Sequence, residues 1–170
     1  DSNYKNGLVF SDGQTTGGSL YKRTQQFTKR QKNTKAEAKS MIGAALKQID
    51  LNQIKTVAVE DLLKVKHGKR GTFSRVFNRR LSHWLYKYSE TLLSRKCEEM
   101  GIEVVRKNPS YTSQFCRHCF KWDRRNRRGD KFLCVNCGHC EHADFNASKN
   151  LELLGLLGFY GIHDLQSSKN

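Results

Sequence analysis

The sequence predicts an α/β chain: a mixed sheet flanked by helices, with a small metal-binding module inserted before the last helix. Three observations predict it. Two short β-branched runs, at 54–59 and 102–105, alternate with two segments of helical periodicity, the order that gives a sheet covered by helices. A hairpin-like stretch precedes them. Between the last strand and the last helix stand Cys116-Arg-His-Cys119 and Cys134-Val-Asn-Cys137, two CxxC pairs separated by fourteen residues.

In chain order, Gly7-Leu-Val-Phe-Ser11 reads as a strand and Asp12-Gly13 as its turn, with a return strand near 19–21. Residues 22–35 are polar and basic. From Thr34, a residue suited to capping, Ala38, Met41, Ile42, Ala45, Leu46 and Ile49 recur at helical spacing. Ile54–Val59 reads as a buried parallel strand that ends at Glu60-Asp61, and 64–71 as a basic loop. A long amphipathic helix then carries Phe73, Val76, Phe77, Leu81, Trp84, Leu85, Tyr88, Leu92 and Cys97 on one stripe, with Gly101 as its C-cap. Ile102–Val105 is the next strand, and Pro109 breaks the chain before the cysteine module. A last helix runs from about Asp144 through Leu151, Leu154 and Leu157. Glycines 155, 158 and 161 weaken its end, and 165–170 reads as a frayed polar tail.

At 170 residues and 36% hydrophobic content, the chain is most simply one domain with a real core. Thirty-one Lys and Arg against sixteen Asp and Glu give +15, a field that favours a polyanionic partner, nucleic acid first. Four or five of the six cysteines crowd into 25 residues, a pattern that fits metal binding in a reducing cytosol better than a secreted disulfide framework. No apolar run approaches the roughly 20 residues of a membrane span, and no partner membrane is expected. The chain opens at Asp1 without an initiator Met and reads as a piece of something longer.

Two constellations carry chemistry. Cys116, Cys119, Cys134 and Cys137 supply four thiolates, the full tetrahedral set of a structural zinc ion with no open position. Cys137-Gly-His-Cys140 is also CxxC; Gly138 directly after Cys137 suits a knuckle and favours Cys137, leaving Cys140 spare. His118, His139 and His142 read as ordinary loop residues. Between the knuckles, Trp122 stands among Lys121, Arg124, Arg125, Arg127, Arg128 and Lys131, an interleaving that suits a phosphate backbone and a stacked base, or else a solvated ribbon tip. The second constellation is acidic. Glu60 ends a buried strand, Asp144 opens a helix and Asp1 precedes the first strand. Three carboxylates on separate elements can hold two magnesium ions for phosphodiester hydrolysis, although each alone is more often a cap or a surface charge.

Three segments together resemble the TnpB/OrfB proteins of insertion sequences and their descendants, the type V CRISPR effectors. Asp1-Ser-Asn-Tyr-Lys-Asn-Gly-Leu-Val-Phe-Ser-Asp-Gly13 is similar to the first RuvC motif and Val57-Ala-Val-Glu-Asp-Leu62 to the second. Asn108-Pro-Ser-Tyr-Thr-Ser-Gln-Phe-Cys-Arg-His-Cys119, Cys134-Val-Asn-Cys-Gly138 and Ala143-Asp-Phe-Asn-Ala-Ser-Lys-Asn150 resemble the zinc ribbon and third motif. The likeness runs from residue 1 to about 155, and the Asn-Pro-Ser-Tyr-Thr-Ser-Gln lead into a CxxC is specific.

The resemblance implies an RNase H-like (RuvC) nuclease: first two motifs over 1–109, zinc ribbon 110–140, third motif and closing helix 141–164, tail 165–170. Asp1, Glu60 and Asp144 fall on the family's magnesium-binding catalytic acids. The implied activity is RNA-guided DNA cleavage in a prokaryotic or phage-encoded cytoplasmic system, with guide RNA bound by domains upstream of Asp1. The basic face Arg75, Arg79, Arg80 and Lys87 of the long helix is then a phosphate track. Asn3 and Phe120 stand where the family usually has Gly. The alternatives are a truncated or inactive nucleic-acid-binding remnant or regulator, and a purely structural zinc module.

Overall fold

The computed structural model describes residues 2–3, 7–16, 34–61 and 86–167. Two short strands, β1 (Ser2–Asn3) and β2 (Gly7–Leu8), pair antiparallel. Val9 then bridges Thr15 across the Asp12-Gly13 turn, where Gly13 takes φ +97°. The chain therefore turns back at Thr15, earlier than expected; the return strand placed near 19–21 lies outside the described residues.

Helix α1 (Thr34–Lys47) buries Ala38, Ile42 and Leu46, one residue per turn on a single stripe. Its last turn is closed from outside, where Lys96 Nζ donates to the Leu46 carbonyl (3.0 Å) and to that of Ile49. Strands β3 (Thr56–Glu60) and β4 (Glu103–Lys107) pair in parallel, register Thr56↔Glu103 to Glu60↔Lys107. Asp61 N–H extends the ladder to the Lys107 carbonyl at 2.7 Å. The strand expected over 54–59 as buried and parallel is parallel, but its burial is corrected: Ile54 is 41% exposed and only Val57 on β3 is buried. The pleat explains this. Val57, Val59 and Val104 turn to the core of α1 and α2; residues 56, 58, 60, 103, 105 and 107 turn to the opposite face, where part of the sheet borders a cavity.

Helix α2 (Tyr86–Glu99) buries Ser89, Leu93 and Cys97, with Tyr88 and Leu92 only half-buried beside them. Of the expected stripe, Tyr88, Leu92 and Cys97 do face the shared core, but Leu93, which the stripe left out, is buried in it more deeply than Leu92; the stripe's residues from Phe73 to Leu85 lie outside the described residues. The helix ends as foreseen. Gly101 takes φ +69°, its N–H reaches the Glu98 carbonyl (3.1 Å), and Ile102 N–H reaches that of Cys97 (2.8 Å), the paired bonds of a Schellman cap.

Residues 110–142 form a small module of a 3₁₀ turn (Arg124–Asn126) and an antiparallel sheet, β5 (Arg127–Arg128), β6 (Lys131–Leu133) and β7 (Cys140–His142), in that order. Helix α3 (Ala143–Leu156) follows without a break, and α4 (Ile162–Ser167) closes the chain. The frayed tail expected over 165–170 is corrected in its first part, since Leu165 is buried with Phe115, Leu154 and Ile162.

Candidate functional site

Helix α3 presents two working faces. Asp144, Ser148, Glu152 and Gly155 follow at four, four and three residues, one stripe of the helix. At Gly155 that stripe meets the sheet, where an added Cβ would lie 3.2 Å from Ala58 Cβ. Ser148 and Glu152 wall a cavity of about 650 Å³ together with Glu60 and Lys107. Among the described residues, six carboxylates line it (Asp12, Asp50, Glu60, Glu90, Glu103 and Glu152) against one cation, Lys107, in a chain that carries +15 overall. One of the six, Glu90, is paired with Arg106 at 2.7 Å.

Glu60 is half-buried on this wall, opposite Lys107 in the strand register. Lys107 is only 7% exposed. Sequence reasoning missed it, because a lysine at the end of a strand looks like a solvated edge; the pleat and the register opposite Glu60 place it on the cavity side. Asp144 is 4% exposed and is not part of the wall. Its Oδ1 lies 3.7 Å from Arg127 Nη2, and its Oδ2 lies 3.7 Å from His142 Nδ1. His142 Nδ1 accepts the Asp144 N–H at 3.3 Å and so caps the helix start. Asp1 lies outside the described residues, as do Arg75, Arg79 and Arg80; Lys87 is exposed on α2.

The second face of α3 holds the cysteine module. Asn146 and Asn150, both fully buried, each donate Nδ2 to the carbonyls of Thr112 and Phe115, at 3.2 and 3.1 Å and at 2.7 and 2.9 Å. Removing the amide at Asn150→Ala deprives buried carbonyls of a donor, a cost of about 1–3 kcal/mol. Asn150→Asp aims a carboxylate at the same two carbonyls, and a larger loss than for Ala is expected in urea unfolding at neutral pH. Equal losses would contradict the clamp.

The four sulfurs of Cys116, Cys119, Cys134 and Cys137 lie within 4.8 Å of one another. Cys116 and Cys137 are 3.6 Å apart and Cys119 and Cys134 3.5 Å. A tetrahedron with metal–sulfur bonds of about 2.3 Å has edges of about 3.8 Å, whereas a disulfide is about 2.05 Å. The donor set therefore fits a tetrahedral metal ion. Cys140, exposed on β7, stays outside it. Burial pushes the Cys116 thiol up to about 12. Cys119 is brought down to about 6: burial opposes, but the Lys121 backbone N–H and neighbouring side chains outweigh it. So uneven a set becomes four thiolates only around a cation. Among the described residues no other group of three or more such ligands converges so closely.

Both knuckles turn through a residue at positive φ, Phe120 (+56°) and Gly138 (+74°), whose N–H groups return to the Cys116 and Cys134 carbonyls at 2.8 and 2.9 Å. Phe120 bears that conformation because its ring packs on Phe115, 6.0 Å between centroids. Phe120→Ala loses the ring and keeps the strain. Phe120→Gly is therefore expected to be the more stable of the two by about 1 kcal/mol, the reverse of the usual order; thermal unfolding of the pair checks it.

The basic ribbon residues divide by partner. Asp123 engages Arg125 at 2.7–3.2 Å and is held down to about 2 by it. Arg127 faces Asp144 and the Gly129 carbonyl. Arg128 is exposed, while Trp122 and Arg124 line a separate surface hollow.

A family model described as Cas12f1-like, TNB domain, matches residues 86–151, which span α2, β4, the cysteine module and the first half of α3. The chain is 34% identical over 99 residues to the CRISPR-associated endodeoxyribonuclease Cas12f1 of Sulfoacidibacillus thermotolerans, covering 58% of this chain and 22% of that protein. It is 29% identical over 144 residues to the protein of the same name from Syntrophomonas palmitatica, with 67% and 27% covered. Among solved structures, the mini-RNA-guided endonuclease CRISPR-Cas_phi3 aligns at TM-score 0.51 and 21% identity, over 84% of this chain and 21% of that one. The Cas12f1–sgRNA–target DNA complex aligns at 0.50 and 24%, over 78% and 35%. These two likenesses speak to the fold, a mixed α/β arrangement shared with Cas12 nucleases. The chain spans 22% and 27% of the two curated relatives' lengths. Residues 86–151 thus match the Cas12f1-like TNB-domain model, and the chain as a whole is similar to TnpB-like type V effectors.

Proposed function

We propose that this chain is the nuclease part of an RNA-guided DNA endonuclease, an RNase H-like RuvC fold with an inserted four-cysteine zinc ribbon. The observation that carries the reading is the α3 stripe: Asp144 heads the helix face whose Ser148 and Glu152 wall the cavity that holds Glu60. Relatives named endodeoxyribonucleases support DNA as the substrate. A neighbour solved with sgRNA and target DNA supports guide RNA as a partner, held by parts of the longer relatives that this chain does not span. Bacterial and archaeal relatives support a prokaryotic cytoplasm. No described helix is long and apolar enough to cross a membrane.

The thiolates suit zinc, and the carboxylates of Asp1, Glu60 and Asp144 suit two magnesium ions. When bound, magnesium supplies Lewis acidity at the phosphodiester and lowers the pKa of water. The chain's own groups do the rest. The bond from Asp61 N–H to Lys107 fixes the end of β3, and with it the Glu60 carboxylate on the cavity wall. Lys107 offers a cation to a phosphate oxygen there. Arg127 offers Asp144 a counter-charge from the ribbon.

One observation favours the second reading, a nucleic-acid-binding chain that does not cut: Asp144 is 4% exposed and faces Arg127 rather than the cavity. The test is cleavage of labelled single-stranded DNA by the complete gene product with its guide, in magnesium and in EDTA. Cleavage in magnesium that stops in EDTA supports the nuclease. Guided binding without cleavage in magnesium supports the second reading.

A further inference from the structure

The lead segment into the first knuckle and the start of the ribbon place two aromatic rings at the surface. Tyr111 and Trp122 are each 39% exposed and stand nearly perpendicular, 81° apart with centroids 5.0 Å apart. His163 of α4 braces Tyr111 from behind, edge-on at 4.9 Å. With Ser110, Gln114 and Arg124 the two rings line a hollow of about 570 Å³. From this arrangement we infer that the hollow is a binding site for one unstacked base of single-stranded DNA, an inference that rests on the nuclease reading for the identity of the strand.

Each lining group has a part in that recognition. Two rings at a right angle form a corner, so a flat heterocycle stacked on one ring meets the other edge to face. Every base has such a π-face, which makes stacking indifferent to sequence. Trp122 Nε1 donates to Gln114 Oε1 at 3.2 Å. An indole N–H can only donate, so the amide orientation is fixed and Gln114 Nε2 is left as a donor for a base carbonyl or ring nitrogen. Asp123 neutralises Arg125. Arg124 next to it makes no ion pair among the described residues and lines the hollow, ready for the adjoining phosphate. Tyr111 also takes φ +69°, a conformation costly to any residue but glycine and one that clusters at ligand sites.

The experiment is fluorescence anisotropy of the purified protein with a short labelled single strand of DNA, intact or with its bases removed. The wild type is expected to bind the intact strand at least about fivefold more tightly than the abasic one. Trp122→Ala and Tyr111→Gly should weaken the intact strand by that factor and leave the abasic strand unchanged, and Trp122→Phe should restore most of the difference. Tyr111→Gly removes the ring where the backbone already favours glycine, and circular dichroism of the variant separates a loss of binding from a loss of fold. Arg124→Ala should weaken both strands alike and lower the salt slope by about 0.7. Equal wild-type affinity for intact and abasic strands overturns the site, as does equal loss on both strands for Tyr111→Gly. A matched RNA strand preferred over DNA overturns the assignment to DNA. These outcomes are independent of cleavage: variants at Glu60 and Asp144 decide the nuclease reading without altering base discrimination at Trp122.

Discussion

Glu60→Gln is expected to abolish DNA cleavage while leaving the fold intact. The substitution keeps the size of the side chain and removes only the charge, on a half-buried residue whose backbone is held by the β3–β4 ladder. Replacing a residue that merely orients a metal ligand costs about 10- to 100-fold, so loss of a ligand itself should exceed 100-fold. The measurement is the magnesium-dependent rate on labelled DNA at matched guide occupancy, with circular dichroism to verify folding. Asp144→Asn should act in the same way, since it takes a carboxylate from the head of the same helix stripe. An unchanged rate in either variant would remove that residue from the catalytic set. If Glu60→Gln were silent while Lys107→Met was not, the cavity would be a binding groove rather than a metal site.

The second large effect is on stability. Changing Cys116 and Cys134 to Ser should release the metal and unfold residues 110–142. Besides its cysteines, the module's own cluster holds only Phe132, packed with Ala143 of α3, and its sheet has strands of two and three residues. So small a core cannot hold a sheet alone. A structural zinc ion contributes about 10–16 kcal/mol in comparable modules, far above any other local interaction here. Elemental analysis should find about one zinc per wild-type chain. Chelation should collapse amide exchange protection in the module while α1 and α2, which have their own core, persist. A zinc-free protein with full protection in 110–142 would sink the assignment.

What the sequence made legible was local. CxxC pairs are short-range instructions, and Gly138 with its positive φ was enough to prefer Cys137 over Cys140. Gly101 announced its cap for the same reason. What depended on tertiary placement was less legible. Leu93, which the expected stripe of α2 left out, is buried more deeply than Leu92, because the partner helix sets the angle of view. Asn146 and Asn150 look like solvated polar positions until the Thr112 and Phe115 carbonyls come beneath them. Arg127 reads as one more ribbon cation and instead faces Asp144. The acids lay between these cases: the strand end at Glu60 and the helix start at Asp144 are local facts, but their common side of the sheet follows from the pleat and from Gly155.

The paired amides of Asn146 and Asn150 make the ribbon and the acid-bearing helix one mechanical part. Four hydrogen bonds on two carbonyls leave little play between the lead segment and α3, and Asp144 sits two residues before the first of them. The segment that carries Tyr111 and the helix that carries Asp144 are therefore joined by buried hydrogen bonds and not by a loop alone. On the nuclease reading, the proposed base site at the rim and the carboxylate at the helix head thus belong to one rigid piece.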